Sequence, residues 1–328
     1  MASCSNDETV EMAQQKAISF SNAFVNNGTR SVDDPSFTTS TLKDFAVYGF
    51  TQKGQIFNGE KVSGTTSTGW SYDNVQYWVP GNTYTFGAIA PHRAANVSDV
   101  KLPEGATKVE MKVAFTNTDA DQVDLLHAAP TQIAGTAVTP TYTEPVSMTF
   151  NHQLSKVKFS FVNAVGEGYT VKVKDVKIKD AYKDGTLTVA ATENTWGGQT
   201  SKNLELNFGN VVDNASGTNA AFIANTKTLE SYNEKLMIPM GTDTYTVSFT
   251  AEMYKGTVLL GTYPHTVQIK NVEFKLGYCY NFKASLTHEN ITGEGELKPI
   301  EFKLAGINDW NDVDNNQGFD VPKTHSGI

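Results

Sequence analysis

Short runs in which apolar and polar residues alternate recur along most of the chain, and they predict β-strands buried on one face and wet on the other. Phe45 to Phe50 is one such run and Thr83 to Ile89 another; Val109 to Phe115, Val157 to Val162, Tyr169 to Ile178, Tyr245 to Met253 and Tyr278 to Leu286 follow the same rule. Gly, Asn, Asp and Pro separate the runs, as turn chemistry requires. Thr, Val, Tyr and Phe fill them, residue types whose branched or flat side chains suit a pleated surface. The expected fold class is therefore all-β. Turns this frequent, with about 140 residues per half, suggest two sandwiches.

The stretch Thr139-Pro140-Thr141-Tyr142-Thr143-Glu144-Pro145 places two prolines within six residues. It cannot pair as a central strand and reads as an extended linker. The expected organisation is an N-terminal segment over residues 1–30, a sandwich over 31–145, a second sandwich over 146–310 and a polar tail over 311–328. The run Pro299 to Ile307, with Ile300, Phe302 and Leu304 on one face, reads as the last strand of the second sandwich.

Near the N-terminus two periods compete. Val10, Ala13, Ala17, Phe20 and Phe24 fit a helical stripe, whereas Ile18, Phe20 and Phe24 share one strand face with Ala17, Ser19, Ser21 and Ala23 on the other. A short helix over 8–16 followed by a strand over 17–25 accommodates both. Asn26-Asn27-Gly28 then stops the element.

Composition narrows the function classes. The 328 residues carry a net charge of −9, and no basic cluster of the kind that phosphate neutralisation needs is visible, which argues against nucleic acid as a partner. No apolar run approaches the ~18 to 20 residues that span a bilayer. There are two cysteines. Cys279, between Tyr278 and Tyr280, falls on the face opposite the tyrosines and reads as a small buried hydrophobe. Cys4 follows Ala2-Ser3 and resembles the cleavage end of a bacterial lipoprotein signal, whose thiol is acylated; on that reading Cys4 is a lipid anchor.

The sequence carries none of the familiar catalytic or metal-binding motifs. There is no Gly-x-Ser-x-Gly elbow, no His-Glu-x-x-His, no phosphate-cradling glycine loop and no cysteine pair at metal spacing. Histidines 92, 127, 152, 265, 288 and 325 are scattered. The acidic stretches Asp312 to Gly318 and Asp119 to Asp124 lack the glycine and the twelfth-position Glu of a calcium loop and read as solvated turns. The expectation is a non-enzyme with no cofactor and no metal.

Trp70-Ser71-Tyr72, Tyr77-Trp78-Val79-Pro80-Gly81 and Tyr84 to Pro91 resemble the aromatic stretch of Bacteroidales fimbrillins. Val146 to Val157, with its Phe150-Asn151-His152-Gln153-Leu154-Ser155-Lys156, is similar to the strand that opens the second half of that family. Asp124-Leu125-Leu126 followed by Ala128, Leu236-Met237-Ile238-Pro239, Gly277-Tyr278-Cys279-Tyr280 and Trp310 agree in order. The resemblance implies two transthyretin-like Greek-key sandwiches in tandem, export as an outer-membrane lipoprotein, and assembly with other pilin subunits into a surface pilus. It further implies that an arginine-specific protease removes an N-terminal strand and that a strand of a neighbouring subunit takes its place.

Arginine usage fits that implication. Arg30 and Arg93 are the only arginines among 26 basic residues, and Arg30 lies in Gly28-Thr29-Arg30-Ser31, directly after the alternating segment and its turn. Arg30 and Ser31 are thus the expected processing site, and Ile18, Phe20 and Phe24 the side chains of the removable strand. The runner-up is a surface lipoprotein of the same fold that binds glycan or host protein without polymerising, in which Trp70, Tyr72, Tyr77 and Trp78 would form a sugar-stacking platform. Burial of those rings in a core is the commoner fate of such aromatics.

Overall fold

A computed structural model describes residues 16–25, 42–65, 67–102, 109–120, 122–190, 193–198, 201–213, 217–239, 241–293 and 300–309. Their regular structure is strand apart from one short helix, and the strands form four sheets. The largest has seven strands: β1 (Phe20–Val25), β2 (Asp44–Thr51), β3 (Gly54–Thr65), β4 (Gly69–Ser71), β5 (Tyr84–Ala90), β8 (Leu126–Ile133) and β9 (Val146–His152), in the order β1-β9-β8-β5-β2-β3-β4. A second sheet joins β6 (Val97–Lys101) and β7 (Met111–Thr116) to β12 (Asp184–Val189) and β13 (Thr195–Gly197).

The other two sheets face one another. One holds β10 (Ser155–Asn163), β15 (Val211–Val212), β16 (Thr228–Ser231), β17 (Lys235–Met237), β20 (Tyr278–Leu286) and β21 (Phe302–Asp309). The other holds β11 (Tyr169–Ala181), β14 (Leu204–Gly209), β18 (Asp243–Lys255) and β19 (Val258–Val272). A single helical turn, α1 (His288–Thr292), is closed by a Thr287–Asn290 capping box and by Gly293 in the left-handed region at φ 71°.

Three cores result. Phe159, Phe161, Phe208, Val247, Phe249 and Phe282 fill the space between the last two sheets. Phe45, Val47, Phe86, Met148 and Phe150 line one face of the seven-stranded sheet. On its other face Ala46, Tyr48, Phe50 and Ile89 meet Met111, Val113, Phe115, Leu187 and Val189 of the second sheet. This explains why β2 and β5 read as nearly unbroken apolar runs, since a strand buried on both sides has no wet face to mark. Close packing also fixes a glycine on each face. A Cβ on Gly49 would stand 2.8 Å from Phe57 Cδ2, and one on Gly87 2.6 Å from Val109 Cγ1.

The expected division at Pro145 does not coincide with the sheets. β9, which was assigned to the second sandwich, pairs antiparallel with β8 of the first, so the proline-rich stretch is the connection within one sheet. In the same way the β12–β13 hairpin, from the second half of the sequence, completes the sheet of β6 and β7. The physical reason is burial: the face of β2 and β5 carrying Tyr48 and Phe50 needs a wider cover than a two-stranded β6–β7 ribbon provides. Hydrogen bonds tie the halves further, with Asn117 Nδ2 donating to Leu236 O at 2.8 Å and Lys235 Nζ to Asp119 Oδ1 at 2.8 Å.

The run after Pro299 forms β21, antiparallel to β20 at the edge of its sheet. Its alternation is not fully kept. Ile300 is buried and Phe302 packs on the core, but Leu304 is 36 % exposed, next to a register irregularity at Asn281/Phe282. Cys279 is a free thiol packed against the core on the far side from Tyr280, and burial pushes it up to about 12.

Candidate functional site

The seven-stranded sheet curls until β1, at one end, lies against β4 at the other. Residues 16–25 occupy the seam between the two ends. On one side Phe20 and Ser21 pair parallel with Val146 and Ser147, and Phe24 and Val25 with Thr149 and Phe150, with a register shift between Ser21 and Phe24. Val146 N donates to Ser19 O at 2.7 Å. On the other side Ile18 N donates to Gln76 O at 2.8 Å, Trp78 N donates to Lys16 O at 2.9 Å, and Ala17 bridges Tyr77. The Tyr72 hydroxyl donates to Ile18 O at 2.6 Å. The segment therefore closes the seam with backbone bonds to both lips.

Its side chains sort as the strand period demands. Ile18 is 1 % and Phe20 5 % exposed, whereas Ala17 faces solvent. The Phe20 ring meets Phe45, Phe57, Tyr72 and Phe86 edge-on, with centroids 5.6 to 6.3 Å apart. Full burial of two such side chains stabilises the docked strand by roughly 1.5 to 3 kcal/mol each. Phe24 keeps its place in the backbone ladder; its side chain lies outside the described residues, as do Cys4, Arg30, Ser31 and residues 8–15 of the helix expected over 8–16, whose last residue, Lys16, is not helical.

The fit of this strand is incomplete. A parallel ladder is slightly weaker per residue than an antiparallel one, and a register shift costs regularity. Two indole N–H groups of the surrounding core, on Trp70 and Trp78, are buried and have no acceptor among the described residues. Each such donor costs about 1 to 3 kcal/mol.

The four aromatics considered as a sugar platform do not make one. Trp78 is 2 % exposed, wedged edge-on against Tyr84 at 4.8 Å and Tyr142 at 4.9 Å, and Trp70 and Tyr72 pack on the same core. Of the four, Tyr77 alone is exposed. Tyr72 and residues 76–78 form the second lip of the seam, a role that no single alternating run of the sequence marks. The alternation Gln76, Trp78 against Tyr77, Val79 was the available signal for its later part.

Arg93, the second arginine, sits in the turn between β5 and β6 with φ 50°, the left-handed region, and Val97 N closes the turn on Ala94 O at 2.9 Å. Where β8 and β9 meet β13, a polar cluster is buried: Asn194 Nδ2 stands 3.0 Å from His127 Nδ1 and 2.9 Å from Gln153 Oε1, and His152 Nδ1 is 2.7 Å from Asp124 Oδ2. Among the described residues no group of three His, Cys, Asp or Glu is placed to hold a metal ion. Asp119 instead accepts from Asn207 N and pairs with Lys235.

Burial lowers His127 from 6.5 to about 4. It is neutral in the fold, while the unfolded chain takes up a proton near 6.5, so the unfolded state binds more protons between those values and stability rises with pH. The contribution is complete above pH 6.5 and is lost as pH falls to about 4, up to about 3 kcal/mol. Urea unfolding at pH 7.5 and 4.5 is expected to show this loss, and His127→Gln to reduce it; an equal loss in the variant would assign the pH dependence elsewhere.

The family model described as fimbrillin-like matches residues 29–299. Among solved structures, a fimbrial protein from Bacteroides vulgatus superposes with a TM-score of 0.61 at 17 % identity, over 90 % of this chain and 99 % of that one. A candidate cell adhesion protein from Bacteroides ovatus superposes with a TM-score of 0.53 at 16 % identity, over 90 % and 98 %. One of the same description from Bacteroides eggerthii gives 0.51 at 11 % identity, over 90 % and 96 %. No curated protein matches the chain. The structural likenesses establish a shared fold, and the family match covers most of the sequence, so this chain belongs to the fimbrillin-like family.

Proposed function

We propose that the chain is a structural subunit of a surface fimbria, exported as a lipoprotein acylated at Cys4 and assembled by donor-strand exchange after an arginine-specific protease cuts between Arg30 and Ser31. The role is structural, with no catalysis and no cofactor; the partners are other pilin subunits, the protease and, before processing, the outer membrane.

The observation that carries this reading is the position of residues 16–25. They fill a seam between two sheet ends and bury Ile18 and Phe20 in the core, yet they end shortly before Arg30, and nothing C-terminal to Arg30 depends on them for chain continuity. Cutting the connection turns an internal strand into a bound peptide. Its departure exposes the β9 edge, the backbone of 76–78 and two apolar pockets, a surface that an alternating strand of another subunit matches. The parallel, shifted register and the two unpaired indoles leave room for a better-fitting strand, which makes the exchange downhill.

The test is extraction of the native protein without boiling, followed by a denaturing gel and mass analysis of the N-terminus. A ladder of multimers built from subunits beginning at Ser31 is expected. Monomers that begin at Ser31, or multimers that retain residues 16–25, would overturn the reading.

A further inference from the structure

Two exposed apolar patches lie in different halves of the chain, and their rims carry opposite charge. The first follows β4. Val75, Tyr77 and Val79 alternate along it, 44, 47 and 37 % exposed, while Trp78 turns into the core. Asp73 precedes the stripe, and Glu60 is held beside it by the backbone and side-chain N–H groups of Asn74, at 3.2 and 2.8 Å. Burial, and after it the charge of Glu144, raises the Tyr142 hydroxyl, whose ring packs edge-on against Trp78.

The second patch is the tip of the β18–β19 hairpin. Val258, Leu259 and Leu260 are three consecutive residues, 61, 48 and 45 % exposed. Leu259 stands opposite Tyr254, whose ring meets the exposed Phe222 at 4.9 Å. Lys172 Nζ lies 4.0 Å from the Phe222 centroid, and Lys255, opposite Val258, lies 5.6 Å from that of Tyr169. Lys174 and Glu252 neutralise one another at 2.6 Å, and Glu167 in the adjoining turn is the acidic exception.

Single exposed aliphatic residues are ordinary, whereas a contiguous apolar patch inside a charged rim marks an interaction surface. We infer that the β18–β19 tip of one copy packs on the Val75–Val79 stripe of the next, basic rim against acidic rim. The two surfaces differ, so the contact is heterologous and extends into a filament rather than closing on itself. The inference rests on the assembly reading above and adds a second contact to it.

The stripe is also one lip of the seam. Trp78 N donates to Lys16 O and Tyr77 bridges Ala17, so loss of the segment up to Arg30 removes the stripe's backbone partner and its neighbouring lysine, leaving it more acidic. Processing thereby opens the strand groove and bares the stripe at once, and the copy that supplies the entering strand is the one whose hairpin reaches the stripe. A patch of six residues is smaller than the roughly 1,200 Å² that stable interfaces bury; its part is to orient the strand docking.

The test uses full chains in a Cys4→Ser background, one carrying Tyr77→Cys and the other Leu259→Cys, cleaved after Arg30, mixed and oxidised. Disulfide-linked dimers are expected in the mixture and in neither sample alone, Cys279 being packed in the core. Lys255→Glu is expected to raise the subunit concentration needed for multimers by about tenfold, and Lys255→Glu with Asp73→Lys to restore it. A ladder that forms without the mixed disulfide overturns this contact and leaves strand exchange standing. Processed chains that form no multimers at all overturn both.

Discussion

Phe20→Ala is expected to lower the stability of the uncleaved chain by about 3 to 5 kcal/mol, and yet to leave the multimer ladder obtained after cleavage at least as strong. The first effect follows from the ring's surroundings: Phe20 is 5 % exposed and four aromatic rings meet it edge-on, so truncation opens a cavity that rigid neighbours cannot collapse. The second follows from the fate assigned to the segment. In the proposed assembly Phe20 would leave with residues 1–30 and be absent from the polymer, so weakening it would speed departure of the plug without touching the groove. Urea denaturation of the uncleaved variant measures the first, and an unboiled gel of the cleaved variant the second. A weaker ladder would mean that the strand remains in the polymer.

The other large effect is expected at the proposed processing site. Arg30→Ala is expected to abolish multimers and to yield a chain of unprocessed mass, and Arg93→Ala to change neither. Proteases read their substrates as extended strands, and Arg93 is held with φ 50° in a turn closed by the Val97–Ala94 hydrogen bond, a shape that a trypsin-like cleft does not accept without local unfolding. Arg30→Lys separates charge from identity, because a lysine keeps the charge but not the bidentate guanidinium that arginine-specific pockets recognise. Loss of multimers in both Arg30 variants supports the assignment. A ladder that persists in Arg30→Ala would end it.

The strand pattern is where local sequence spoke clearly. The runs at 45–50, 83–89, 157–162, 169–178, 245–253 and 278–286 all lie in or on strands β2, β5, β10, β11, β18 and β20. Less legible were β3, β14 and β19, where the wet face is broad: β19 shows Val258 to Leu260 to solvent, which no alternation rule assigns. The division at Pro145 failed for a different reason. Prolines mark a break in pairing, but whether the chain resumes in the same sheet depends on which apolar face is still uncovered, and that is a property of β8, β5 and β2 together.

Ile18 and Phe20 were identified as one face of a strand by spacing alone, and composition singled out Arg30 and Arg93. The sequence by itself determined the all-β character, the alternating strands and the inward face of the N-terminal segment, because each follows from the two-residue period and from turn chemistry within a few positions. The tertiary structure alone decided that β1 runs parallel to β9, that residues 76–78 form its other lip, that Trp78 is a wedge and no platform, and that β12 and β13 cover the first sheet. Those are pairings between residues as many as 126 positions apart, set by which buried faces and backbone edges remain to be satisfied once the neighbouring strands are in place.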